Sequence, residues 1–384
     1  MKAAIARGLG KRQGVWCVAL AGALHLSASA QSTLALEMGP PPSQGPGVEL
    51  YGLVDVAASY IDNQGGSSRL SQLGVGGDRG NRWGVRGRED LGGGKQAFFV
   101  LEGGINMSTG AALQGGLTFG RLTIVGLRDQ QWGEVTLGNQ YDFMYDLVGY
   151  SAAATGNGGL YAFHLGNLDR TAGDRMNNSV RYKSPSWGGF RVGAMYSWDA
   201  VAANPASNVG RSFTASYAAG PWSVGAAYTS VANHAQVLGI GTQVLGYSLI
   251  NFASGAVFDK LTTGGIGVSY AKDHLYAGAM LTTAQLVRGG SSARMNMQDI
   301  GASYQFSPGW VVGGALSFYQ MDDKRWTTLT GGVQYFFSRR TNVYANFASL
   351  RASGPNNNQA QLFTALASSS RSQFSTMVGI RHVF

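Results

Sequence analysis

Residues 190–198 read FRVGAMYSW, and as an extended chain they send Phe190, Val192, Ala194, Tyr196 and Trp198 to one side and Arg191, Gly193, Met195 and Ser197 to the other. This period of two is that of a β-strand between unlike environments. WSVGAAYT (222–229) repeats it, with Trp222, Val224, Ala226 and Tyr228 against Ser223, Gly225, Ala227 and Thr229. WVVGGALSFYQ (310–320) does so again, with Trp310, Val312, Leu316 and Phe318 opposite Gly313, Ala315 and Ser317. Working outward from these, sixteen strands are expected near 48–60, 81–90, 95–106, 119–129, 133–141, 178–185, 189–198, 211–218, 221–231, 260–272, 274–285, 297–306, 309–320, 325–337, 340–350 and 372–384.

Each segment is long enough to cross a bilayer at a tilt, which takes roughly 9–11 residues. Charge placement tells a membrane barrel from a soluble sandwich, because Lys or Arg facing lipid at mid-depth costs about 2–4 kcal/mol. In these registers Asp55, Arg82, Arg86, Glu102, Arg121, Glu134, Arg181, Lys183, Arg191, Asp299 and Arg381 share the polar face. Glu89, Lys95 and Arg128 are expected on the apolar face, but only at strand ends. Aromatic residues, among them Trp132, Trp198, Trp222 and Trp310, gather near the ends as interfacial girdles do. Connections alternate between short turns, such as Gly220-Pro221 and Ser338-Arg339, and long outer loops near 61–80, 107–118, 142–177, 199–210, 232–259, 286–296 and 351–371. The expected fold is therefore all-β: a sixteen-stranded antiparallel transmembrane barrel with short periplasmic turns and long extracellular loops.

Composition agrees. Charged residues make up 13% of the chain, about half the usual share, and its 58 glycines are about twice the usual number. The first thirty residues carry Lys2, Arg7, Lys11 and Arg12, then an apolar stretch, then Ala28-Ser29-Ala30, so residues 1–30 are expected to be a signal segment cut between Ala30 and Gln31. Removing those four cations leaves 25 basic against 20 acidic residues, a net charge of +5 and no basic run, which argues against nucleic acid as a partner. The single cysteine, Cys17, goes with the signal, so neither a disulfide nor a thiolate metal site is expected. Residues 31–47 form a Pro/Gly-rich periplasmic lead, and 48–384 the barrel domain. His164, His234, His274 and His382 fall in no catalytic motif, and no enzymatic activity, cofactor or metal is expected.

The segments NRWGVRGREDLGGGKQAFFVLEGGIN (81–106), GEVTLGNQYD (133–142), NSVRYKSPSWGGF (178–190), YFFSRRTNVYANF (335–347) and VGIRHVF (378–384) occur in an order and spacing that resembles general Gram-negative porins, above all the betaproteobacterial and neisserial type. The resemblance implies a homotrimer whose third outer loop folds into each pore. It also implies a passive channel for small hydrophilic solutes and ions, set among outer-membrane lipid and lipopolysaccharide. The last strand, with Val378, Ile380 and the terminal Phe384 on one face, looks like the signal read by the barrel assembly machinery.

A constriction is expected between a basic wall, Arg82, Arg86, Arg121, Arg181 and Lys183, and acidic candidates Glu102, Asp142, Asp146, Asp169 and Asp174, giving a mild preference for anions. The sequence departs from the family at Asn139, where a basic residue is frequent, and its third loop lacks the acidic-aromatic-glycine motif of enterobacterial relatives. The alternative expectation is a substrate-specific channel in which Tyr161, Phe163 and His164 of the third loop hold a sugar or aromatic solute.

Overall fold

A computed structural model describes residues 46–155, 158–198, 209–355 and 357–384. The Ala30–Gln31 junction and the lead as far as residue 45 lie outside the described residues. The chain enters along β1 (Gly47–Gln64), turns back in β2 (Ser67–Leu73), and continues through β3 (Arg82–Gly92), β4 (Lys95–Gly104), β5 (Leu122–Asp129) and β6 (Gly133–Tyr141). After the third outer loop come β7 (Arg175–Lys183), β8 (Phe190–Ser197), β9 (Gly210–Ala219) and β10 (Trp222–Leu238), then a small hairpin of β11 (Thr242–Val244) and β12 (Tyr247–Leu249). The wall resumes with β13 (Phe252–Lys272), β14 (Leu275–Arg288), β15 (Ser291–Ser307) and β16 (Trp310–Met321). It ends with β17 (Lys324–Phe336), β18 (Thr341–Ser353) and β19 (Ser372–Val383).

Apart from β2, β11 and β12, each strand pairs antiparallel with both neighbours, and β19 pairs with β1 from Leu53↔Val383 to Ile61↔Ser375, so the sheet closes as a sixteen-stranded barrel. Phe384 completes the seam by exchanging backbone hydrogen bonds of 3.0 Å with Gly52. Closure pairs each of the sixteen wall strands on both sides, the condition for β-structure in lipid. All sixteen expected segments are strands, and the alternation holds: Leu137, Ile266, Leu281, Ile300, Leu316, Val378 and Ile380 are exposed on the outside. The mid-strand charges Asp55, Arg82, Glu102, Asp299 and Arg381 are buried inside.

Two expectations need correction. Arg128 turns inward, because β5 begins at Leu122 and Arg121 precedes it, which reverses the phase: Arg128 pairs with Glu134 across the register that also sets Glu134 opposite Lys183. The outer connection near 286–296 is not long. Strands β14 and β15 extend to a two-residue turn at Gly289 (φ 54°) and Gly290 (φ 80°), left-handed angles that suit glycine and match the twist of a hairpin.

Two outer segments fold inward. Residues 74–81 dip into the lumen, where the Asp55 carboxylate accepts backbone N–H bonds from Gly77 (3.1 Å), Asp78 (2.9 Å) and Arg79 (2.7 Å) and a hydroxyl bond from Tyr344 (2.5 Å). Arg381 clamps Asp78 from the wall at 2.5 Å. The third loop, residues 142–174, is the other.

Candidate functional site

The third loop starts as β6 ends, and its base is closed by Arg170, which donates to Asp142 at 2.5 Å and to Asp174 at 3.1 Å. Its first turn is apolar: Phe143, Met144 and Leu147 are buried with Met176, Met195, Ala227, Val231 and Met280 of the wall. Glycines at inward positions make room for it. A Cβ on Gly193 would lie 2.4 Å from the Phe143 ring, and one on Gly265 would lie 3.1 Å from Leu147. Tyr150 is seated over three consecutive strands, where a Cβ on Gly225, Gly267 or Gly278 would come within 2.5 Å of it. Close approach of the loop to the sheet is thus written as missing side chains.

Further along, polar bonds fix the loop to the far wall. Asp299 on β15 accepts from Ser151 Oγ (3.0 Å), from the Ala152 backbone N–H (3.1 Å) and from Ser317 on β16 (3.2 Å). Asp169 accepts from Thr282 on β14 (2.7 Å) and from Thr171 (2.9 Å), and His164 Nδ1 lies 2.7 Å from it. The other imidazole nitrogen is 3.8 Å from Asp299. Burial by itself would lower the affinity of His164 for its proton, but the Asp169 charge outweighs it and raises the pKa well above the ordinary value. The same pairing, against burial, holds Asp169 below the usual carboxylate range. Leu160 N–H bonds to Gly77 O at 2.7 Å, joining the two infolded segments.

On the other side of the loop lies an open cavity of about 710 Å³. Arg82, Arg121 and Arg175 line it together with Arg69 and Arg79, and the acids on its lining are Asp78 and Asp174. Arg121 Nε donates to Glu102 at 2.8 Å, and Glu102 also takes the Tyr51 hydroxyl at 3.0 Å. Arg175 donates to the Arg121 carbonyl (3.0 Å) and to the Tyr141 hydroxyl (2.7 Å) and lies over the Tyr141 ring, which stacks on Tyr145 at 4.2 Å.

The residues expected at the constriction are therefore divided. Arg82 and Arg121 meet at the cavity. Arg181 and Lys183 pair with Asp146 at 3.0 Å each, where the two cations outweigh burial and keep the Asp146 carboxyl below its ordinary range. Arg86 is bonded to Glu49 and lies over Tyr51. Asp142 and Asp169 are fully buried and turned toward Arg170 and His164, so they brace the loop rather than face the arginines, while Glu102 backs Arg121. Of the alternative trio, His164 is held among carboxylates, whereas Tyr161 and Phe163 both reach the cavity lining, Tyr161 largely buried with its hydroxyl near Ser59 and Phe163 half-buried. The sequence reading missed Arg175, which it left in the loop. Asn178, with φ 47°, interrupts the alternation of β7 and hides the strand's first residues.

Comparison with known proteins agrees with this architecture. A family model described as Gram-negative porin matches residues 17–355. Outer membrane porin protein 32 of Delftia acidovorans is 30% identical over 361 residues, covering 88% of this chain and 94% of its own. An outer membrane porin protein of Bordetella pertussis is 28% identical over 367 residues, covering 79% of this chain and 90% of its own. Among solved structures, the anion-selective porin from Comamonas acidovorans superposes with a TM-score of 0.73 at 26% identity, over 88% of this chain and all of that one. OmpT of Vibrio cholerae, at 15% identity, shares the fold with a TM-score of 0.65 over 90% of this chain and 99% of its own.

Proposed function

The chain belongs to the Gram-negative porin family, and from that membership we propose that its pore is an anion-preferring one, selected by the Arg82, Arg121 and Arg175 wall. The protein is an outer-membrane diffusion channel for small solutes. The observation carrying the selectivity is the imbalance on one cavity, five arginines against Asp78 and Asp174. A narrow lumen with low-dielectric walls focuses such a field and raises the local concentration of counter-ions. In water a single charge contact at 4 Å is worth only about 1 kcal/mol, so anions are favoured without being trapped, as conduction requires. Arg86, Arg181 and Lys183, spent on Glu49 and Asp146, contribute to the field less than the expected wall implied. The selectivity named for the Comamonas acidovorans porin supports the same reading.

Around this pore we place a homotrimer in outer-membrane lipid and lipopolysaccharide, delivered by a signal cut after Ala30 and inserted by the barrel assembly machinery acting on the Val378, Ile380 and Phe384 face. Family membership supports the trimer and the membrane, and Val378, Ile380 and Phe384 are exposed on the outside of the last strand. The test of selectivity is the reversal potential of refolded protein in a planar bilayer under asymmetric KCl. Chloride should permeate faster than potassium, and a potential of the opposite sign would end the proposal.

A further inference from the structure

Resting on the anion reading of this cavity, we propose that the outer lumen holds a subsite for carboxylates bearing an apolar group, aromatic acids above all. The cavity, about 710 Å³, is far larger than an inorganic anion needs and falls within the range of roughly 300–1,000 Å³ in which organic ligands are held. Its lining is of two kinds. The arginines described above supply one part, and Leu160 and Phe163 of the third loop, Leu238 at the outer end of β10, and Phe363 of the last outer loop supply another. Phe163 and Phe363 come from loops some two hundred residues apart in the chain, yet their ring centroids are 5.4 Å apart and tilted, so the two loops converge to build one apolar surface.

Chloride gains nothing from that surface, and a purely aqueous conduit has no use for it. A flat apolar ring with a carboxylate uses both parts at once. The cationic end is preset: Arg175 spends Nε on the Arg121 carbonyl and Nη2 on the Tyr141 hydroxyl, which fixes its guanidinium plane and leaves Nη1 with no hydrogen-bond partner among the described residues. A fixed fork suits a carboxylate better than a swinging ammonium does. The apolar end adds the burial energy that separates benzoate from acetate, while the wet lumen keeps total affinity low enough for release.

The experiment measures how benzoate, acetate and uncharged benzyl alcohol occlude chloride current through wild-type pores in planar bilayers. Benzoate should occlude at about tenfold lower concentration than acetate, equivalent to about 1.4 kcal/mol, and benzyl alcohol should not occlude. Phe163→Ser, and separately Phe363→Ser on the other loop, should bring benzoate and acetate to near parity. Equal occlusion by benzoate and acetate in the wild type overturns the subsite, as does occlusion by benzyl alcohol matching that by benzoate. Conducting pores of both variants that keep the full gap overturn it too. Reversal potentials in KCl alone test the anion reading by themselves, so a cation-preferring pore that still separates benzoate from acetate would sink the selectivity and not the apolar subsite.

Discussion

The third loop divides the inner wall of the barrel into a half that it covers and a half that it leaves open, and the two halves are built from opposite residue types. The covered half, β8 through β16, offers glycines at 193, 225, 265, 267 and 278 and a few short polar anchors, Thr282, Asp299 and Ser317. The open half, β3 through β7, carries Arg82, Arg121 and Arg175, braced by Glu102 and Tyr141. Where backbone must approach backbone, side chains are absent; where water and solute pass, long cations are stacked and bonded so that they stand still. A loop seated on the covered half is what narrows the open half, so the proposed selectivity of one side would depend on packing on the other.

The strongest way to break this arrangement is to fill a seat. Gly267→Val would put its Cβ only 2.4 Å from the Tyr150 Cβ, and overpacking of this kind costs about 1–3 kcal/mol. The wall is hydrogen-bonded on both sides at this position and cannot yield, so the loop moves. Single-channel conductance should rise markedly and become noisy, while the barrel keeps its resistance to denaturant. Conductance unchanged from wild type would show that the seat is not what holds the loop.

Next in size is Asp299→Ala. Ser151 Oγ loses its bond to the far wall and the Ala152 N–H loses its acceptor, and a buried N–H left unpaired costs about 1–3 kcal/mol. Only this anchor fails, since the glycine seats remain, so brief open-channel fluctuations are expected rather than a permanently wider pore. A recording as quiet as wild type would remove Asp299 from the set of anchors.

A smaller and different effect is expected on the open half. Arg121→Ala removes a cation and also uncovers Glu102, which then faces the cavity with only the Tyr51 hydroxyl and more distant arginines as company. The reversal potential should move toward cations with unit conductance little altered, and more so than for Arg69→Ala, whose side chain stands exposed on the outer part of the same cavity. Equal shifts from both substitutions would mean that selectivity is a property of total charge and not of the wall.

These contrasts explain what the sequence made legible. The barrel was readable because lipid and water lie on opposite faces of each strand and imprint a period of two, as Phe190 to Trp198 display. A loop folded inward obeys no period. Its partners are distant in sequence, Asp299 lying 148 residues from Ser151 and Tyr344 lying 289 from Asp55, so nothing local marks Asp169 as a brace or Arg79 as part of the lining. The inward glycines were visible as small residues within alternating strands, but their meaning needed the side chain that fills the gap. Arg121 reaches the lumen although it lies outside the alternation of β5, because its direction comes from the bond to Glu102 rather than from the strand.

The smallest expected effect concerns pH and the covered half. His164 is packed against Asp169, Asp299 and Tyr319, and burial, which favours the neutral ring, is outweighed by the Asp169 charge. Its pKa in the folded pore is thus above the ordinary value of about 6.5, and the sign follows. Stabilisation from the imidazolium is fully present below that ordinary value and is lost as pH rises through the folded one. Asp169, whose pKa is depressed, works the other way and weakens the anchor only as pH falls through its lowered value, well into acid. Between these limits the loop is held; on the alkaline side the carboxylates face one another without a proton between them, while Thr282, Ser151 and the glycine seats still hold. Current noise should therefore increase at alkaline pH without a change in mean conductance, and His164→Gln, which keeps a hydrogen-bonding group but cannot be charged, should show the raised noise already at neutral pH and no further rise. Noise independent of pH in the wild type would mean that the imidazole is a neutral packing element and that the seats alone fix the loop.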